Sequence, residues 1–138
     1  MSNISIENQK YEYASEKPGI VLIKAGTPAM KKLNSLLGLP DLKSQIIDVP
    51  ITSRLDELQV GRYAMQPSED FLFQYTYLEV KVVTSGCIIV RDEQGNRYEA
   101  YPGDIYVFTP VTNVIFDKES NGTAVYFGHR PPEPAFMK

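Results

Sequence analysis

The stretch FLFQYTYLEVKVVTSGCIIVRDEQGNRYEAYPGDIYVFTP, residues 71–110, decides the fold. Its first part places Phe71, Phe73, Tyr75, Tyr77, Glu79, Lys81 and Val83 at odd positions, and Leu72, Gln74, Thr76, Leu78, Val80 and Val82 at even ones. Side chains alternate across a strand, so each set lines one face. Both sets are largely apolar or aromatic, which predicts a strand buried on both sides, as in a sandwich or barrel. The odd face carries two exceptions, Glu79 and Lys81. A carboxylate facing an interior is costly unless it is paired, and the lysine two positions on shares its face.

Thr84-Ser85-Gly86 interrupts the run, Cys87 to Arg91 resumes it, and Asp92-Glu93-Gln94-Gly95-Asn96 is a polar turn with a glycine available for left-handed backbone. Arg97 to Ala100 reads as the return strand. Pro102-Gly103-Asp104 punctuates it, and Ile105 to Thr109 is a further strand that stops at Pro110.

A glutamate, six residues, a glycine, a short hairpin, then Pro-Gly-Asp before an apolar strand and a proline: this spacing resembles the two motifs of the cupin superfamily. The match is carried by Glu79 with Gly86, and by Pro102-Gly103-Asp104 with Pro110. The resemblance implies an all-β fold, a single jelly-roll (double-stranded β-helix) barrel, here with an N-terminal extension containing one short helix. It says little about chemistry, because this fold hosts many functions. Metal-binding cupins place two histidines six and four residues before that glutamate and a third five residues after the later proline. Those positions here are Phe73, Tyr75 and about Val114 or Ile115, and the chain has one histidine, His129. No metal or other cofactor is therefore expected.

The remaining pattern, Tyr75-Thr76-Tyr77-Leu78-Glu79-Val80 running into Gly86, is similar to the metal-poor cupins of the ethanolamine-utilisation protein Q type. That resemblance implies a role in ethanolamine breakdown and association with a bacterial microcompartment, and some members of that type are linked to acetate kinase activity. Lys81 stands where the resemblance would place an acidic residue, so the mechanism is not carried over with the fold.

Length and composition bound the rest. A chain of 138 residues suits one domain with a proper core. A net charge of -3 with both signs interspersed offers no basic patch, so nucleic acid is not an expected partner. No apolar run approaches the ~20 residues of a membrane span, and MSNISIENQK lacks a charged-then-apolar leader, so the expected location is the cytoplasm with no membrane contact. The single cysteine, Cys87, cannot form an internal disulfide and reads as a small hydrophobe in a strand.

Working outward, residues 1–44 read as an N-terminal arm, a strand at Ile20–Lys24 and a helix of about three turns packed on the outside of the barrel. The helix starts at Thr27-Pro28, shows Met30, Leu33 and Leu37 on one face and ends at Gly38. Residues 45–130 read as the barrel, with strands at Gln45–Ile51, Gln59–Met65 and Thr123–His129, and with Gly61 marking a bulge or a close approach of backbone. Residues 131–138 form a proline-rich tail expected to lie extended over the surface or over a second subunit through Phe136 and Met137. An added strand and such a tail predict a homodimer.

Candidate site residues lie on the odd face. Glu79, among aromatic side chains, is a candidate acid or base, with Tyr77 or His129 as helper. Phe73, Tyr75, Tyr77, Glu79 and Lys81 are the expected walls and polar contacts for a small organic ligand. Glu79 and Lys81 read equally well as a structural ion pair, and the tyrosines as core residues. Two functions follow: an accessory protein that binds a small molecule, or a metal-independent enzyme (isomerase, lyase or acetate kinase-like) working through Glu79.

Overall fold

The computed structural model describes residues 13, 14, 18, 22–53, 58–131 and 133–136. Among them nine strands form antiparallel ladders: β1 (Lys31–Lys32), β2 (Ser44–Val49), β3 (Leu58–Met65), β4 (Phe71–Tyr75), β5 (Glu79–Arg91), β6 (Arg97–Ala100), β7 (Ile105–Phe108), β8 (Thr112–Phe116) and β9 (Asn121–His129). One layer runs β1-β2-β3-β9-β5-β7, and the other joins β4, β8, the second half of β5, and β6. The long strand β5 belongs to both layers. Its first half pairs β9 and β7, and from Ile88 on it pairs β6.

The transfer between layers happens where the apolar run was interrupted. The register against β9 shifts between Val83 and Ser85, and Gly86 follows at φ 65. A side chain at Gly86 would strike the carbonyl of Asn121, so glycine is required there by space as well as by backbone. The Pro-Gly-Asp motif has an equally local cause. Asp104 N–H donates to the Tyr101 carbonyl at 2.8 Å, Gly103 takes φ 93, and the Asp104 carboxylate accepts from Tyr101 N–H at 2.8 Å. This is a proline-glycine turn locked by its own side chain.

The run from Phe71 to Val83 is two strands and not one. Residues 76–78 leave the ladder, so β4 and the first half of β5 lie in different layers. The expectation of burial on both faces is also corrected. Phe71, Tyr75, Glu79, Lys81 and Val83 are buried, whereas Leu72, Gln74, Thr76 and Leu78 are exposed and Val80 and Val82 half-buried. The odd face builds the core: the Phe71 and Phe116 rings stack at 4.9 Å, and Tyr75 and Phe108 at 4.7 Å.

The N-terminal segment differs from expectation. Lys31 and Lys32 pair with Ile46 and Gln45, so their backbone groups extend the sheet. Only one helical turn remains, α1 (Asn34–Leu37), ended by Gly38 at φ 67. A helix this short has no stability of its own and persists through packing. It packs on the core, with Leu33 buried in it and Leu37 against it. The run Ile20–Lys24 carries no strand over its described part, 22–24, and Leu22 is exposed. Most of the N-terminal arm, together with Met137, lies outside the described residues. The tail does not simply run over the surface: Pro134–Phe136 forms a 3-10 turn that returns Phe136 to the core.

Candidate functional site

The inner face of β4 and β5 meets β3, β8 and β9 around an interior cavity of about 50 Å³. Tyr63, Phe71, Phe73, Tyr75, Tyr77 and Phe116 form its walls, and Glu79, Lys81 and Arg130 reach it from the side of the long strands. Its roof is supplied by Leu33, Leu36, Leu37 and Phe136. Leu36 is 41% exposed while lining the cavity, so the space reaches the surface beside it. A larger cleft of about 490 Å³ is lined by residues from Lys32 to Gln66 and shares none of the cavity's lining residues.

Alternation along β5 points Glu79 and Lys81 inward together, and both are 3% exposed. The Tyr75 hydroxyl donates to Glu79 Oε2 at 2.6 Å, and Lys81 Nζ lies 3.4 Å from the same oxygen. Above the ammonium stand three ring faces, Tyr63 at 4.3 Å, Tyr126 at 5.0 Å and Phe116 at 5.3 Å. Cation–π attraction replaces part of its lost hydration. Burial still pushes the Lys81 amine below its ordinary value, and Glu79 pulls it part of the way back. Burial raises the Tyr75 hydroxyl well above the usual phenol range, reinforced by Glu79, so it remains a proton donor. Burial likewise takes Tyr77 up to about 12.

A second charged cluster closes one side of the cavity. Arg130 donates through Nη1 and Nη2 to both oxygens of Asp48, each at 2.9 Å, and the Tyr126 hydroxyl donates to Asp48 Oδ1 at 2.5 Å. Burial works against the Arg130 charge, but the two-pronged bond to Asp48 outweighs it and holds the guanidinium above its usual value. Tyr126 is placed by Gly61: a side chain there would strike the phenol ring and the Ile47 carbonyl. The close approach expected at Gly61 is therefore what seats this tyrosine.

The five residues expected to face a ligand, Phe73, Tyr75, Tyr77, Glu79 and Lys81, line the one cavity. His129 does not join them. Along β9 the buried positions are Ala124, Tyr126 and Gly128, which sends Phe127 and His129 outward, and His129 is exposed at the strand end. Tyr63, Tyr126, Asp48 and Arg130 were not anticipated. The signal for one of them was Asp48 itself, a lone acid inside the apolar run Ile46-Ile47-Asp48-Val49.

The residues present do not fit a metal. Glu79 Oε2 is occupied by an ammonium and a phenol, Phe73 and Tyr75 stand at the histidine positions, and Val114 is in the core. Among the described residues no group of three or more His, Cys, Asp or Glu is placed to hold an ion.

The arrangement is a curled antiparallel barrel with an aromatic interior, and solved structures identify the class. The chain has the cupin fold. It is similar to an RmlC-like cupin from Shewanella frigidimarina (TM-score 0.54, 13% identity, covering 70% of this chain and 88% of that one). It is also similar to the EutQ protein of Clostridium difficile (TM-score 0.62, 17% identity, 69% of this chain and 68% of that one). A third similar structure is ectoine synthase from P. lautus (TM-score 0.58, 15% identity, 76% and 80%). Identity at this level establishes the fold and leaves the chemistry to the site. No protein-family model and no curated protein matches the chain.

Proposed function

We propose that this protein binds a compact organic molecule inside the barrel, without a resident metal, in an accessory role of the ethanolamine-utilisation protein Q type. The observation that carries the reading is the convergence of a carboxylate, an ammonium and a phenol on an aromatic cavity that reaches the surface beside Leu36. The accessory role is taken from the pattern Tyr75-Thr76-Tyr77-Leu78-Glu79-Val80 running into Gly86, which resembles that type, and the C. difficile EutQ structure shares the fold. Charge narrows the ligand. Glu79 is paired with Lys81 and Asp48 with Arg130, so the interior is neutral overall and favours an uncharged molecule with one polar end. Volume narrows it further: about 50 Å³ holds roughly three or four non-hydrogen atoms.

At a ceiling of about -1.5 kcal/mol per atom, such a ligand binds no tighter than tens of micromolar. Saturation-transfer NMR with acetamide, 1-propanol, acetaldehyde, acetate and ethanolamine suits this range. The uncharged compounds are expected to bind, with at least a tenfold loss in Glu79→Gln protein shown to be folded by circular dichroism. Absence of transfer to every uncharged compound would refute the reading. A second reading, a proton-transfer enzyme of the isomerase, lyase or acetate kinase-like kind, is favoured by the 3.4 Å approach of Glu79 and Lys81. Turnover that vanishes in Glu79→Gln while binding persists would select it.

We also infer a homodimer, formed through the outward face of the layer that holds β5. There Val80 neighbours Val107 and Phe127, and Val82 neighbours Ile105 and Val125, giving an apolar patch across three adjacent strands. Ile105 and Val107 are 61% and 58% exposed, more than scattered surface residues require. Light scattering should give twice the chain mass for wild type and the single mass for Val107→Asp/Phe127→Asp. A wild-type monomer at all concentrations would remove the inference.

A further inference from the structure

We propose that Lys81 captures small aldehydes covalently, condensing with the carbonyl to form an imine inside the aromatic cage. The inference rests on the cavity being a ligand site, as proposed above, and names the ligand class. An ammonium has three protons to place, and hydrogen bonds to a carboxylate are strongest at ~2.7–2.9 Å. Here the carboxylate stands off at 3.4 Å, three ring faces surround Nζ, and the Arg130 guanidinium acts on it as a second cation. A desolvated lysine in an apolar pocket is the form of the side chain that acts as a nucleophile toward carbonyls. Burial lowers the Lys81 amine, which raises the share of the reactive neutral form.

The neighbouring groups can move the protons the reaction needs. Lys81 passes one proton to Glu79, its lone pair forms a C–N bond to the carbonyl carbon, and the C=O π pair moves to oxygen. That oxygen takes the proton back from Glu79, giving a carbinolamine. The carbinolamine nitrogen, still carrying two protons, gives one to Glu79, which delivers it to the hydroxyl. The hydroxyl leaves as water as the nitrogen lone pair forms the C=N bond, so aldehyde and lysine ammonium yield a protonated imine and one water with no change of oxidation state. Tyr75, donating to Glu79 Oε2 at 2.6 Å, holds the carboxyl group in place throughout. An aldehyde of three or four non-hydrogen atoms fits about 50 Å³, whereas a sugar or an aromatic aldehyde does not.

The test uses the whole protein with acetaldehyde or propanal and sodium cyanoborohydride, which reduces an imine to a stable amine. Peptide mapping is expected to place a single alkyl group on Lys81 at least tenfold faster than on the exposed Lys118. Lys81→Arg keeps a cation beside Glu79 but cannot form an imine, and it should lose this early adduct while slow surface labelling continues. Glu79→Gln removes the group that carries protons to the carbonyl oxygen and the hydroxyl, and should slow imine formation at Lys81 at least tenfold even though it leaves more of the amine neutral. Labelling of Lys81 no faster than Lys118 would overturn the proposal. If acetaldehyde still gives saturation transfer in that case, the cavity stands as a ligand site and only the covalent step fails. Neither transfer nor adduct would sink both.

Discussion

Asp48→Asn is expected to cost about 3–5 kcal/mol of folding stability, because it strands a buried arginine. Arg130 is 8% exposed, both of its terminal nitrogens donate to Asp48, its remaining hydrogen bond is from Nη1 to the Pro131 carbonyl at 3.1 Å, and its Nε has no hydrogen-bond partner. A guanidinium cannot shed its proton to escape a bad site. The same substitution weakens the bond that holds the Tyr126 hydroxyl. Replacing the ion pair as a whole, with Asp48→Leu/Arg130→Met, should recover most of the loss, since buried pairs often exchange for apolar residues at little net cost. Urea unfolding followed by circular dichroism measures all three proteins. A loss below about 1 kcal/mol in Asp48→Asn would mean that the pair is hydrated in solution.

Glu79→Gln should cost a similar ~3–5 kcal/mol at pH 7, but with a different dependence on pH. Lysine can escape where arginine cannot. With the carboxylate gone, the Lys81 amine, already pushed down by burial, falls further below its ordinary value of 10.5. Between the lowered folded value and 10.5 the unfolded chain holds a proton that the folded chain does not, so stability rises with pH across that window. Neutralising a lysine costs about 4.8 kcal/mol at pH 7 and about 1.4 kcal/mol at pH 9.5, by 1.36 kcal/mol per pH unit. The penalty of Glu79→Gln should therefore shrink to about 1–2 kcal/mol at pH 9.5, while that of Asp48→Asn stays as it is. The other groups facing Lys81 are Tyr63, Tyr75, Tyr77, Tyr126 and Arg130. Burial raises the tyrosines above the ordinary phenol value of 10.0, so above pH 10 the unfolded chain loses protons first and every form loses stability. Measurements at pH 7 and 9.5 stay below that fall. An equal penalty at both pH values would show that Lys81 remains charged and has found another partner.

The contrast between these two acids also marks how far the sequence could be read. Glu79, Lys81 and Tyr75 lie within seven residues of one another on one strand-like run, so alternation alone placed them on a common face. The Pro-Gly-Asp turn and the Asp92 hairpin were legible for the same reason: each is closed by hydrogen bonds between residues two to four apart. Asp48 and Arg130 are 82 residues apart. Their meeting depends on the register of β2 on β3 and of β3 on β9, which no local pattern encodes. His129 could be read locally as a proton shuttle or as a rim residue, since whether it faces in or out follows from the parity of its strand in the barrel. The helix came out too long because Met30, Leu33 and Leu37 satisfy helical spacing, whereas pairing of Lys31 and Lys32 with β2 decided the backbone.

Floor and roof of the cavity come from very different parts of the chain. The acid, the amine and the phenol stand on ladders shared by two sheets, whereas Leu36 and Phe136 are held by single turns near opposite termini. If the cavity takes the ligand proposed above, selectivity and foldability are written in separate places. Bulk added or removed at those two apolar positions can retune which guests are admitted without redrawing a single strand.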